Sequence, residues 1–200
     1  EVRSHQTLLR QNLITNLLDN IKLNQPSYDR ISLFEVGSIY LDQEGGANKD
    51  DQGQESLTYQ EKRLALVEAG EDKEELFSLA KGKLENLLDQ LELTCEYAPA
   101  DTEPAWAEDG ICARVMHGET VLGEVAVMDN KVLKSLGIKK QIAVVELSLP
   151  ALLEIISSTP HKQYQPLNKY PATVRDLAFV VNSEILYNNI KKEIRSFHEW

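Results

Sequence analysis

The sequence is poor in the residues that build most dedicated chemical sites. Cysteine occurs only twice, as Cys95 and Cys112. They form no C-x-x-C pair and are too few for a disulfide framework, so two reduced thiols are expected. The histidines, at positions 5, 117, 161 and 198, never fall at metal-ligand spacing, and no H-E-x-x-H occurs. There is no Gly-rich phosphate loop, dinucleotide fingerprint or nucleophile elbow, which removes the commonest phosphate-binding and hydrolase chemistries. No apolar run approaches the ~20 residues of a membrane span. No signal-peptide pattern opens the chain. A cytoplasmic protein without a membrane contact, a metal site or a catalytic residue is the expectation.

What is present is an acidic body with a different tail. The chain has 200 residues, 42% of them apolar, and a net charge of −11. Residues 161–200 carry six Lys/Arg against four Asp/Glu, or +2, which leaves fifteen against twenty-eight, or −13, for residues 1–160. An acidic body repels phosphate backbones. A nucleic acid is therefore expected to meet the tail, at Lys162, Lys169 and Arg175. The charge step also places a boundary near residue 158, giving a body at 1–157, a linker at 158–163 and a second domain from 164 to 200.

Periodicity supplies the elements. Leu9, Leu13, Leu17 and Ile21 recur at i+4, which predicts an amphipathic helix over residues 7–21. Branched and aromatic runs predict strands at 31–41, 63–69, 93–97, 111–117, 121–128 and 142–147. Residues 42–60 read as a polar loop. Within it Asn48 to Gly53 has the outline of a calcium loop, but Tyr59 stands where a bidentate Glu is required. A helix is expected over 73–91, opened by an acidic run that the helix dipole favours without any metal. A short helix capped by Asp129 or Asn130 and closed by Gly137, and another beginning near Pro150, complete the body. Strands in hairpin-like succession with few helices predict an α+β fold, an antiparallel sheet flanked by helices. In the tail, a strand at 177–181 and a helix at 185–197 are expected.

The run Tyr170-Pro171-Ala172-Thr173-Val174-Arg175-Asp176-Leu177-Ala178-Phe179-Val180-Val181 resembles the opening of the ferredoxin-like anticodon-binding domain of the phenylalanyl-tRNA synthetase β-subunit family, bacterial type. Leu8 to Leu18, Leu33-Phe34-Glu35-Val36-Gly37-Ser38-Ile39-Tyr40, and Phe77, Lys81, Gly82, Glu85 and Leu87-Leu88 match further segments of that family in order. The resemblance implies a body like a class II synthetase catalytic core that has lost its active site, followed by part of a ferredoxin-like domain. It also implies an α2β2 enzyme that attaches phenylalanine to tRNA with ATP and Mg2+, neither of them held by this chain. The implied partners are the catalytic α subunit and tRNA. Leu9, Leu13 and Leu17 are the expected subunit contact.

Three stretches carry the implied loss of activity. Set against the family's catalytic subunit, Leu41 replaces an ATP-binding arginine. Residues 145–152 lack the glycines and the arginine of the ATP-binding strand and helix, and Leu13-Ile14 replace hydroxyl residues of the amino-acid pocket. Dense phosphate charge must be met by fixed cations, and Glu146 would repel it. The rival reading is an acidic α+β interaction module unrelated to translation. It accounts for the charge of the body but gives no reason for the Arg175-Asp176 run. A free-standing hydrolase lacks any nucleophile and base pairing.

Overall fold

The computed structural model describes residues 8–41, 58–100, 102–158 and 173–196. The chain divides into two compact units, Glu1–Ser158 and Thr159–Trp200. Of the expected linker only Ser158 is described, and the core of the polar loop, with its calcium-like run, lies outside the described residues.

The first unit is built on a sheet of six strands: β1 Ile31–Leu41, β2 Tyr59–Gly70, β3 Glu96–Pro99, β4 Ala107–His117, β5 Thr120–Met128 and β6 Gln141–Ser148. Every pairing is antiparallel, in the order β1-β2-β6-β5-β4-β3. Strand β6 is buried from Ile142 to Leu147. That follows from its near-continuous apolar run, which suits a strand covered on both faces.

Alternation splits this run between two cores. On one face Ile142 and Val144 meet Ala65, Val67 and Ala69 of β2 beneath α1 (Ile14–Asn24), whose Ile14, Leu17 and Ile21 supply the cover. On the other, Ala143, Val145 and Leu147 meet α2 (Lys73–Gln90) and α4 (Leu149–Ser158). In α2 the stripe Leu76, Ala80, Leu84 and Leu88 is buried at i+4 spacing. Asp72 caps it, accepting from the Glu74 and Glu75 N–H groups, which otherwise lack intrahelical partners. Helix α3 (Asn130–Leu136) is capped by Asp129 and closed by Gly137 at φ 73°, a left-handed position that suits glycine.

Several boundaries differ from the sequence reading. The first helix begins at Ile14, not near residue 7, because the preceding backbone is bonded to the sheet. The Arg10 carbonyl accepts from the Tyr40 N–H, and the Leu13 N–H donates to the Glu146 carboxylate. Strand β3 runs Glu96–Pro99 rather than 93–97; Glu92 turns the chain at φ 59° and Leu93 is buried in the core. Strand β4 starts four residues earlier than the expected 111, with an irregular register between Ala107 and Cys112.

The interface reading of the first helix also needs correction. Leu13 and Leu17 are buried in this chain's own core, so they present nothing to a neighbour, while Leu9 is 60% exposed.

In the second unit the expected strand at 177–181 is not formed. Residues 173–182 join no ladder, because no described strand of that unit lies beside them to take their N–H and C=O groups. The helix is α5, Tyr187–Ser196, in place of 185–197. Leu177, Phe179, Val181, Ile185, Ile190 and Ile194 line an open apolar hollow. Among the described residues the second unit thus shows one helix and no strand.

The division between Leu9 and Leu13 can be measured. Leu13→Ala should cost about 2–5 kcal/mol in urea unfolding, as a cavity in a packed core does. Leu9→Ala should stay within about 0.5 kcal/mol. Equal effects would contradict the placement of residues 8–13.

Candidate functional site

One end of the face beneath α1 is charged rather than apolar. The register sets a row across the sheet: Glu35 of β1 opposite Ala65 of β2, Ala65 opposite Glu146 of β6, Glu146 opposite Glu124 of β5, and Glu124 opposite Arg114 of β4. Directly paired residues project to the same face. One step along, Arg63 lies opposite both Gly37 and Ser148, and Glu61 lies opposite Ile39. The cluster therefore follows from charged residues placed at alternate positions of strands that pair only in the folded chain.

Residues 8–13 cross this end. Arg10 Nη1 pairs with Glu35 Oε1 at 2.5 Å, and Arg10 Nε donates to the Ser38 carbonyl at 2.8 Å. The guanidinium lies over Gly37; a Cβ there would come within 2.3 Å of Arg10 Nη2. The Leu13 N–H donates to Glu146 Oε1 at 3.2 Å, and Glu146 Oε2 lies 3.6 Å from Arg63 Nη1. Arg63 Nε stands 3.2 Å from Glu61 as an ion pair, but without hydrogen-bond alignment.

Burial pushes the Glu146 carboxyl above the usual range; the Leu13 N–H and Arg63 oppose that shift, and Glu61 adds to it. Burial also raises the Glu124 carboxyl, with the Glu146 charge adding and Arg63 opposing. These are the expected signs for desolvated neighbouring carboxylates sharing one cation.

The arrangement answers a chemical question. A triphosphate or an adenylate needs cations free to meet it. Here Arg10 is engaged by Glu35, and Arg63 by Glu61 and Glu146, while Glu124 adds a further carboxylate. As placed, neither Arg10 nor Arg63 is left without a carboxylate partner. Among the described residues no group of three or more His, Cys, Asp or Glu is placed to hold a metal ion. The three stretches singled out in the sequence do meet here. Residues 9–14 and 37–41 touch through Arg10, and Glu146 reaches Leu13. Leu41 packs, partly buried, against the core beneath α1. Val145 and Leu147 face the opposite core.

Of the expected nucleic-acid residues, Arg175 is exposed in the second unit, and Lys162 and Lys169 lie outside the described residues. The sequence reading singled out Glu146 but missed Arg10, Glu35, Glu61, Arg63 and Glu124 as its companions. The available signal was a charge inside otherwise apolar strands, such as Val144-Val145-Glu146-Leu147.

Because folded Glu124 holds its proton more tightly than the unfolded chain does, its ionisation at neutral pH works against folding. Protonation relieves that penalty as pH falls through the raised pKa toward the ordinary carboxylate value. Glu124→Gln should therefore raise the melting temperature at neutral pH, with the gain shrinking as pH falls. Thermal unfolding between neutral and mildly acidic pH checks this. A variant that is less stable than the parent at neutral pH would count against it.

Known proteins share this architecture. The fold is that of class II aminoacyl-tRNA synthetases. It superposes on a pyrrolysyl-tRNA synthetase from Desulfitobacterium hafniense with a TM-score of 0.57 at 21% identity, over 76% of this chain and 51% of that one. In sequence the chain is 31% identical to the phenylalanine–tRNA ligase β subunit of Geobacillus kaustophilus and 29% identical to that of Fusobacterium nucleatum, in each case over 94% of this chain. It is 27% identical to the β subunit of Bacillus subtilis over 95% of this chain. It spans only 23% of the length of each of these relatives. The family model for the phenylalanyl-tRNA synthetase beta chain CLM domain matches residues 2–149. With its sheet and charged cluster inside that matched span, the chain belongs to the phenylalanyl-tRNA synthetase β chain CLM domain family.

Proposed function

We propose that this chain is a non-catalytic, structural part of the β subunit of a phenylalanine–tRNA ligase, the enzyme that attaches phenylalanine to its tRNA with ATP. In this reading the chain keeps a synthetase fold as scaffold, pairs with the catalytic α subunit in an α2β2 assembly and helps position tRNA. ATP and Mg2+ belong to the α subunit. The reading places the protein in the cytoplasm; among the described residues no helix is long and apolar enough to cross a membrane.

The observation that carries the proposal is the engagement of Arg10 and Arg63 by Glu35, Glu61 and Glu146. A fold that would need free cations for a nucleotide uses them to tie its own segments together. The rival reading, an interaction module unrelated to translation, is not favoured, because it leaves the family match over residues 2–149 unexplained. Exposed Arg175 remains the described candidate for a phosphate contact, with Lys162 and Lys169 beside it in sequence. The −13 of residues 1–160 argues that the body itself does not bind the backbone.

Two measurements test this. Calorimetry of the chain with ATP and Mg2+ should give no saturable heat, and a micromolar site would overturn the scaffold reading. A gel-shift titration with tRNA should show weak binding that fades as salt rises. Tight, salt-resistant binding would mean that tRNA is held by a surface other than the one proposed.

A further inference from the structure

Among the described residues strand β1 is an edge of the sheet, and it is long and largely apolar. Phe34 is 72% and Val36 53% exposed. Natural edges are usually blunted by charge, proline, a bulge or a covering segment. Here β1 pairs with β2 in unbroken register from Ile31 to Leu41, without proline or bulge.

The backbone shows which groups are unused. In an antiparallel ladder the N–H and C=O of one residue point the same way, and successive residues alternate. The Tyr40 N–H donates outward to the Arg10 carbonyl, and the Ser38 carbonyl accepts outward from Arg10 Nε. The outward residues of β1 are therefore the even-numbered ones. Ser32, Phe34 and Val36 each direct an N–H and a C=O away from β2, and among the described residues none of these groups has a partner. Arg10 closes the far end of the edge, and the strand begins at Ile31, so the free stretch is short and centred on Phe34.

We propose that this stretch pairs with the same stretch of a second copy of the chain, antiparallel and about a two-fold axis at Phe34. The occupant follows from self-complementarity. In that register Phe34 faces its own counterpart, and Ser32 faces Val36. Each pair is of the hydrogen-bonded kind, so the N–H and C=O groups of Ser32, Phe34 and Val36 on one copy meet those of the other. A slide toward Tyr40 would have to displace Arg10.

The side chains agree with this register. Ser32, Phe34 and Val36 project to the α2 face, where Ser32 Oγ bonds Glu68 and Phe34 borders an apolar groove formed with Leu64, Leu66, Leu84 and Leu87. The two Phe34 rings meet at the axis and cover that groove on both copies, an aromatic cross-strand pair. On the opposite face Leu33 falls opposite Glu35, so no like charges are brought together.

Sedimentation velocity on the full chain, from micromolar to near-millimolar concentration, tests the pairing. The chain is expected to reach twice its monomer mass, and Phe34→Lys to stay monomeric with an unchanged melting temperature, since the residue is exposed in the monomer. Amide exchange adds a reading that a different dimer would not give. The Ser32, Phe34 and Val36 amides should be protected in the parent dimer and exchange freely in the Phe34→Lys variant. A parent that stays monomeric overturns the proposal. So does a dimer that survives Phe34→Lys or leaves those amides unprotected; either would place the association elsewhere, with the exposed apolar residues of the second unit the next surface to test.

Discussion

The buried carboxylate of Glu146 is the constraint on which the upper end of the first unit depends. It stands on the central strand β6, between β2 and β5, inside an otherwise apolar run. A desolvated charge there is costly unless it is paired and hydrogen-bonded. Its two partners come from different parts of the chain: the Leu13 N–H from the segment before α1, and Arg63 from β2. Satisfying Glu146 fixes where α1 begins and how Arg63 lies. Arg10, three residues before Leu13, is then held over Gly37 and Glu35 on the edge strand. Removing one partner of such a buried pair typically costs about 3–5 kcal/mol, because the other is left uncompensated.

The same network accounts for the character of the face it covers. Sheet geometry gathers side chains from β1, β2, β6, β5 and β4 onto one surface. Here that surface carries Glu35, Glu61, Glu124 and Glu146, with Arg10 engaged by Glu35 and Arg63 by Glu61 and Glu146. Close packing reinforces this. A Cβ at Gly123 of β5 would lie 2.0 Å from the Glu146 carbonyl, so the strand beside the buried carboxylate has no room for a side chain. The two apolar cores on either side of the sheet are packed beneath α1 and beneath α2 and α4.

The two units differ in how far their residues can satisfy one another. In the first, strands alternate cleanly between two covered faces. In the second, Leu177, Phe179 and Val181 carry a strand-like pattern, yet residues 173–182 join no ladder. A strand is a property of a pair, whereas α5 needs only local bonds and an amphipathic stripe. The helix is therefore present where the strand is not.

Much of the fold was legible in the residues. The strand at 31–41, a cap at Asp129 or Asn130, the Gly137 stop and the long helix of α2 followed from period, capping chemistry and backbone freedom, all of which act over a few neighbours. The family segments were legible for the same reason: they are local strings. What only the tertiary structure decided is which charges meet and which apolar residues are covered. Leu9, Leu13 and Leu17 look equivalent along the sequence, but an N–H captured by Glu146, distant in the chain, starts the helix at Ile14 and buries two of the three. Glu35, Glu61, Arg63, Glu124 and Glu146 are scattered over more than a hundred positions and become one cluster through strand register alone. Register is a long-range choice, set by which faces the helices cover, and no window of neighbouring residues contains it.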